Sequence, residues 1–299
     1  MLSVLRGPVL RRNIVNVSLR LNCARAAQAS SASESNAELP AESFASRYSR
    51  DSILRSEFIY GRGFQGPGGI RSTQKYAATL GLQPGMTIVD AGCGPGGATF
   101  HFAKACGVHA IGIDIQPEMV QLCQERAEEE ITSSVQGNAQ FKLGSLADVS
   151  LVDKSSVDCV WSRDALIYLP DKGACLDIWF SWLKPGGQVF ITDYGISKNP
   201  TSQYLSYVEA TNQSPELLED LADCVSQAGF KDVKAVDISR EFLELYEADL
   251  AAFVSKKCEF MEAWGAEHYE QLHQRWVVKI ESIKSGSMIW NMVQGKKPE

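Results

Sequence analysis

The stretch from Thr87 to Ile115, TIVDAGCGPGGATFHFAKACGVHAIGIDI, limits the possible folds more than any other part of the chain. It opens on an apolar, β-branched run ending in an acid, Ile88-Val89-Asp90. Gly92, Gly94, Gly96 and Gly97 follow. Phe100, Phe102, Ala103 and Ala105 then supply an apolar helical face, and Ala110 to Ile113 reads as a second buried strand closed by Asp114. Strand, tight turn, helix, strand is the unit of a parallel, doubly wound sheet. The alternation continues. A helix is predicted over 117–130 with Met119, Val120 and Leu122 inward, and strands over 141–144 and 157–162. A helix over 175–183 is stopped by Lys184-Pro185-Gly186-Gly187, and a strand follows over 188–193. A helix over 216–228 ends at Gly229, before a strand over 233–238. A helical insertion over 241–264 precedes more helix and a closing strand within 276–293. The expected fold is α/β: a Rossmann-like, doubly wound, mostly parallel seven-stranded sheet with helices on both faces.

Glycines at such a turn let backbone N–H groups approach a ligand and permit positive φ. An acid closing the second strand stands where a carboxylate can accept two ribose hydroxyls. The turn carries G-x-G-x-G, lacks the last glycine of G-x-G-x-x-G, and has no Lys-Ser/Thr pair, which excludes a P-loop. A dinucleotide-binding oxidoreductase, or a fold relic that binds nothing, stays open on these residues alone. The whole arrangement resembles motif I and the following acid of class I S-adenosylmethionine-dependent methyltransferases, which implies that cofactor.

Further stretches look like the phosphoethanolamine N-methyltransferases of nematodes, plants and protozoa: Tyr48-Ser49-Arg50, Glu57 to Gly61, Gly68-Gly69, Trp161 to Ile167, Trp182 to Gly187, and Ile191-Thr192-Asp193-Tyr194. Weaker similarity runs from Ala228 to Ile280, and the resemblance covers roughly 44–295. It implies cofactor contacts at Gly92, Gly94, Asp114, Ser162 and Arg163; Gly63, Asp90, Ile115, Ser145 and Leu146 complete the expected set. The family's adenine-binding acid falls at Ser145, with Asp148 close by. On the acceptor side the resemblance implies a catalytic tyrosine at Tyr48 and phosphate contacts at Tyr194, Tyr207 and Lys279. The family's histidine is Tyr168 here, its phosphate arginine is Thr211, and a further tyrosine is Gln213. Threonine cannot make the planar, bidentate bonds of arginine to a phosphate.

The sulfonium chemistry that the resemblance implies needs an acceptor nitrogen freed of its proton. Tyr168, with an ordinary pKa near ~10, is a poor base at neutral pH, so Asp164 is the alternative. Tyr48, Tyr168, Tyr194 and Tyr207 with Asp164 would make an aromatic, singly acidic pocket suited to an ammonium through cation–π contact. For Tyr194 and Tyr207, a place as core aromatics with a polar tip is an equal alternative. His101 and His109 read as structural, and His268 and His273 as surface residues. The expected activity is N-methylation of a small-molecule amine that need not carry phosphate. Phosphobase methylation, and a non-catalytic mitochondrial assembly or binding protein, are the alternatives.

Five arginines and no acid occupy residues 1–33, an amphipathic start that reads as a mitochondrial transit peptide; otherwise the protein is cytoplasmic. Its removal would take the formal charge from −7 to −12. This acidity disfavours a broad nucleic-acid-binding face. No apolar run reaches the ~18 residues of a membrane span. Eight cysteines without a C-x-x-C pair read as reduced and mostly buried, with no metal site. Residues 34–75 are expected to be linker and helical lid, the lid being the helix over 44–60, the glycine loop 61–69 and a short helix over 73–82. Residues 76–299 form the catalytic domain, with a cofactor half over 76–195 and acceptor elements over 196–299. A monomer or homodimer is expected.

Overall fold

In the computed structural model, residues 48–299 are described. The expectations for residues 1–33, and for the linker up to residue 47, lie outside them. Two helices lead, α1 (Arg50–Tyr60) and α2 (Gly69–Ala77). Then come β1 (Thr87–Ala91), α3 (Gly97–Cys106), β2 (His109–Asp114), α4 (Pro117–Glu130), β3 (Asn138–Leu143) and β4 (Val157–Arg163). The second half holds α5 (Lys172–Trp182), β5 (Leu183–Ile196), α6 (Ser202–Thr211), α7 (Leu218–Gln227), β6 (Lys231–Asp237), α8 (Ser239–Ser255), α9 (Lys257–Lys284) and β7 (Met288–Lys296).

The seven strands form one sheet in the order β3-β2-β1-β4-β5-β7-β6. Pairs from β3 to β5 are parallel, and β7 runs antiparallel to both β5 and β6. Alternation along each strand splits the core in two. Ile88, Trp161 and Phe190 pack on one face with Phe100, Tyr204, Phe242 and Phe260. Val89, Val160 and Ile191 pack on the other with Trp179 of α5 and Leu221 of α7. Trp161 and Phe190 stack at 4.6 Å on adjacent strands. The outermost strand, β6, is largely exposed and carries Lys231, Asp232, Lys234 and Asp237, charges that blunt an open sheet edge.

Several boundaries differ from the sequence expectation. The glycine loop ends one residue early, because α2 begins at Gly69, and α2 stops at Ala77 rather than 82. The insertion is two helices, broken at Lys256, and α9 runs on to Lys284 with a kink at Gly265, whose φ is +86°. Strand β5 starts at Leu183: the Lys184–Gly187 turn is drawn into the pairing as an irregularity opposite Val157 and Cys159. Cys93, Cys123, Cys159 and Cys175 are buried, whereas Cys258 is exposed. Among the described residues, no helix is long and apolar enough to cross a membrane, and no cluster of three or more acids, histidines or cysteines is arranged for a metal.

Candidate active site

The carboxyl ends of β1, β2, β4 and β5 carry the chemistry-bearing residues, as in other open parallel sheets. Gly92 and Cys93 donate their backbone N–H groups to the Ile113 carbonyl, fastening the glycine turn to β2. Gly92 has φ +83°, and a Cβ there would stand 2.3 Å from that of Ala165, so the turn tolerates no side chain. The Gly94 N–H donates to Asp114 Oδ2 and the Gln116 N–H to Oδ1, both at 2.9 Å. Each oxygen keeps a lone pair for a hydroxyl. Burial raises the Asp114 carboxyl above the ordinary range, against these backbone bonds. Beside it, Ile115 is 55% exposed, an uncovered apolar surface on which a planar ring can lie. The glycine cradle, the acid and the apolar shelf fit a nucleoside cofactor.

Asp90 and Ser162 brace this turn from beneath rather than lining the cavity above it. Asp90 accepts the Thr99 hydroxyl at 2.6 Å, and burial pushes its carboxyl up to about 6. The Ser162 hydroxyl donates to the Ala91 carbonyl at 2.8 Å. Ser145 and Leu146 lie on the loop after β3. The Leu146 carbonyl accepts the Trp179 indole N–H at 3.2 Å, which ties the loop to α5. Asp148 caps the short turn Val149–Leu151 by accepting from Ser150.

The segment before β1, expected to be a lid, packs against the turn by defined contacts. Gly97 donates its N–H to the Gly63 carbonyl at 2.9 Å, and a Cβ on Gly63 would meet Gly97 Cα at 2.7 Å. Glu57 Oε1 accepts the Gly63 N–H at 2.7 Å, and both Glu57 oxygens pair with Arg126 of α4. This ion pair is about nine-tenths buried on both sides. Asp249 of α8 accepts the Gly68 N–H at 2.9 Å.

Beneath the lid is a cavity of about 300 Å³, within the range of small-molecule sites. Gly63 and Gly94 bound it on the cofactor side, and Tyr48, Arg163, Asp164, Tyr168, Tyr194, Tyr207, Thr211 and Lys279 all contribute to its wall. Asp164 sits at φ +57°, a conformation that Asp and Asn tolerate. Its Oδ1 accepts the Trp290 indole N–H at 2.7 Å and the Thr192 hydroxyl at 3.3 Å. Burial raises this carboxyl, and Arg163 beside it opposes the rise. Arg163 donates to the Thr73 hydroxyl and the Pro67 carbonyl, and its guanidinium lies 5.9 Å from the Trp290 ring. Tyr168, on the short turn Leu166–Tyr168, meets Tyr48 edge to face at 6.3 Å. Tyr194 and Tyr207 are at once core aromatics and cavity wall. The Lys279 ammonium donates to the Tyr246 hydroxyl at 2.9 Å and lies 5.1 Å from the Tyr194 ring. The Thr211 hydroxyl turns back to its own helix, donating to the Tyr207 carbonyl at 2.7 Å.

Sequence reasoning missed Glu57 and Arg126, Trp290, Gln65 and Arg275. The first pair latches the lid, Trp290 orients Asp164, and the last two join the cavity wall. No local pattern marks them, because each acts across a long sequence separation. Among the described residues, the lining contains no histidine.

The chain is 31% identical over 252 residues to a wheat phosphoethanolamine N-methyltransferase, which covers 84% of this chain and 49% of the relative. It is 26% identical to the Plasmodium falciparum phosphoethanolamine N-methyltransferase, over 84% of this chain and 93% of that one. The chain spans about half the length of the plant relatives it matches. The solved structure of Haemonchus contortus phosphoethanolamine N-methyltransferase 2, in complex with phosphomonomethylethanolamine and S-adenosylhomocysteine, superposes with a TM-score of 0.80 at 24% identity. It covers 85% of this chain and 58% of that one. A family model described as a methyltransferase domain matches residues 82–248, more than half of the chain, and the chain belongs to that family.

Proposed function

We propose that this chain is an S-adenosylmethionine-dependent methyltransferase that methylates the nitrogen of a small amine, and that its acceptor differs from phosphoethanolamine. The carrying observation is the convergence of one half-buried carboxylate, Asp164, with five tyrosines, Tyr48, Tyr60, Tyr168, Tyr194 and Tyr207, on a cavity that also reaches Gly63 and Gly94 of the cofactor side. When bound, S-adenosylmethionine supplies a methyl group on a sulfonium that leaves as a neutral thioether. Asp114 would hold the ribose hydroxyls, Ile115 the adenine face, and the Gly92–Gly97 turn the backbone approach. The remaining work falls to the acceptor side. An ammonium docks against the tyrosine faces and Asp164, loses a proton to the Asp164 carboxylate, and is held with its lone pair about 3 Å from the methyl carbon while the lid excludes water. Burial favours proton uptake by Asp164, and Trp290 and Thr192 fix the oxygen that does not take the proton.

Two substitutions motivate the changed acceptor: tyrosine at 168 where the resemblance implies histidine, and threonine at 211 where it implies arginine. Retained phosphobase methylation is the second reading, favoured by Lys279 on the cavity wall. The test incubates the full chain with labelled S-adenosylmethionine and a panel of amines with and without phosphate. Transfer to phosphoethanolamine alone would overturn the changed acceptor. Cofactor binding without transfer to any amine would overturn the N-methylation itself.

A further inference from the structure

One face of α9 forms a wall of the cavity, and its composition is unusual for a helix packed against a core. Leu272, Arg275, Trp276 and Lys279 all line the cavity, at the i, i+3, i+4, i+7 spacing of a single helical stripe. Such a stripe is normally apolar, yet here two of its four positions are cations one turn apart. Lys279 is braced: its ammonium donates to the Tyr246 hydroxyl and rests between the Tyr194 and Tyr246 rings. Arg275 is half-buried one turn before it. Asp164 contributes the lining's carboxylate from the end of β4, and Lys279 draws its pKa down through the cavity. One end of the chamber is therefore anionic and aromatic, and another wall is cationic.

We propose that Arg275 is a specificity-determining residue that, with Lys279, clamps an oxyanion on the acceptor. The acceptor is then a small zwitterion, its amine at Asp164 and its phosphate, carboxylate or sulfonate at the α9 stripe. A guanidinium supplies the planar, two-pronged donor that Thr211 lacks, and Lys279 adds a point charge. Arg275 would thus offer from α9 the guanidinium that the resemblance implies at position 211, at the end of α6. The lining holds three cations, Arg163, Arg275 and Lys279, and one carboxylate, Asp164; a zwitterion with its positive end on Asp164 and its negative end on Arg275 and Lys279 sets each of its charges against an opposite one.

This inference rests on the N-methyltransferase reading for the placement of the amine, and binding and transfer separate the two. The full chain, saturated with S-adenosylhomocysteine, is titrated calorimetrically with ethanolamine, phosphoethanolamine, glycine and taurine. These share a primary amine and differ in the far end. At least one anion-ended amine should bind about tenfold or more tightly than ethanolamine. R275Q should weaken that amine about tenfold, R275K by less, and neither should move ethanolamine or S-adenosylhomocysteine. Inorganic phosphate and acetate, titrated without the nucleoside, read the clamp directly, and R275Q should weaken whichever of them binds. Anion-ended amines no tighter than ethanolamine, or unaffected by R275Q, would overturn the clamp. An Arg275-dependent preference with no methyl transferred would leave the clamp standing and remove the N-methyltransferase reading.

Discussion

Changing Glu57 to Gln should unlatch the lid without unfolding the sheet. Glu57 and Arg126 pair through both oxygens and both terminal nitrogens, with side-chain exposures of 8% and 10%. Removing one charge from a buried pair costs about 3–5 kcal/mol, mostly because the partner stays buried and uncompensated. Glutamine keeps the volume and an oxygen for the Gly63 N–H, so the lower figure, about 3 kcal/mol, applies to E57Q. At about 1.4 kcal/mol per tenfold, the open population of the lid rises roughly 150-fold. Hydrogen exchange reads this directly. Amides of α1 and of Gly61–Gly66 should lose protection by about two orders of magnitude, while those of β1 and β4 keep theirs. The KM for S-adenosylmethionine should rise with kcat changed much less, because the lid encloses the cofactor side. Replacing both partners, as in E57L/R126L, should recover most of the protection, since no lone charge is then buried. Protection lost uniformly across the sheet, or unchanged in α1, would refute the latch.

D164N keeps an oxygen for Trp290 and tolerates the positive φ, but cannot take a proton; methyl transfer should fall about 10²–10⁴-fold with S-adenosylhomocysteine binding unchanged. Burial raises Asp164, so wild-type rate should climb with pH through a value above the ordinary carboxylate range as the base ionises, and that limb should vanish in the residual D164N rate. Asp90 titrates at about 6 when folded and near ~4 when unfolded. Its protonated form therefore favours folding at low pH, and about 3 kcal/mol of that stability is lost as pH rises through this window; D90N should flatten the urea-unfolding profile between pH 4 and 6.5, and curves parallel to wild type would refute this. Y168H/T211R should raise phosphoethanolamine turnover at least tenfold if the native acceptor differs, and only modestly if phosphobase methylation is retained.

The sheet was legible because its signals are local. Strand β1, the glycine turn and β2 sit within thirty residues, and near-continuous apolar runs mark strands buried on both faces. The cofactor side followed, since Gly92, Gly94 and Asp114 are set by that one unit. The helix boundaries around Gly69 and Lys256 were less legible, because a glycine cluster or a lysine pair does not say where tertiary packing stops a helix. Asp90 illustrates a different limit: an acid at a strand end looks alike whether it faces a ligand or, as here, a threonine in the next helix. The acceptor wall was read only in part. Asp164 could be picked out from its place after β4, but its orienting indole lies 126 residues away. The cationic stripe of α9 gains meaning only when the helix is laid against the cavity.

The order of the sheet also sets an order of assembly. Strand β6 precedes β7 in the chain, yet among the described residues its only strand neighbour is β7, which lies between it and β5. During synthesis the parallel half, with its glycine turn and Asp114, can form first, while β6 waits as an unpaired segment. Trp290 arrives on β7 and captures Asp164 as that strand inserts. A nascent chain would thus complete its glycine turn and Asp114 before the Asp164 carboxyl gains its indole partner.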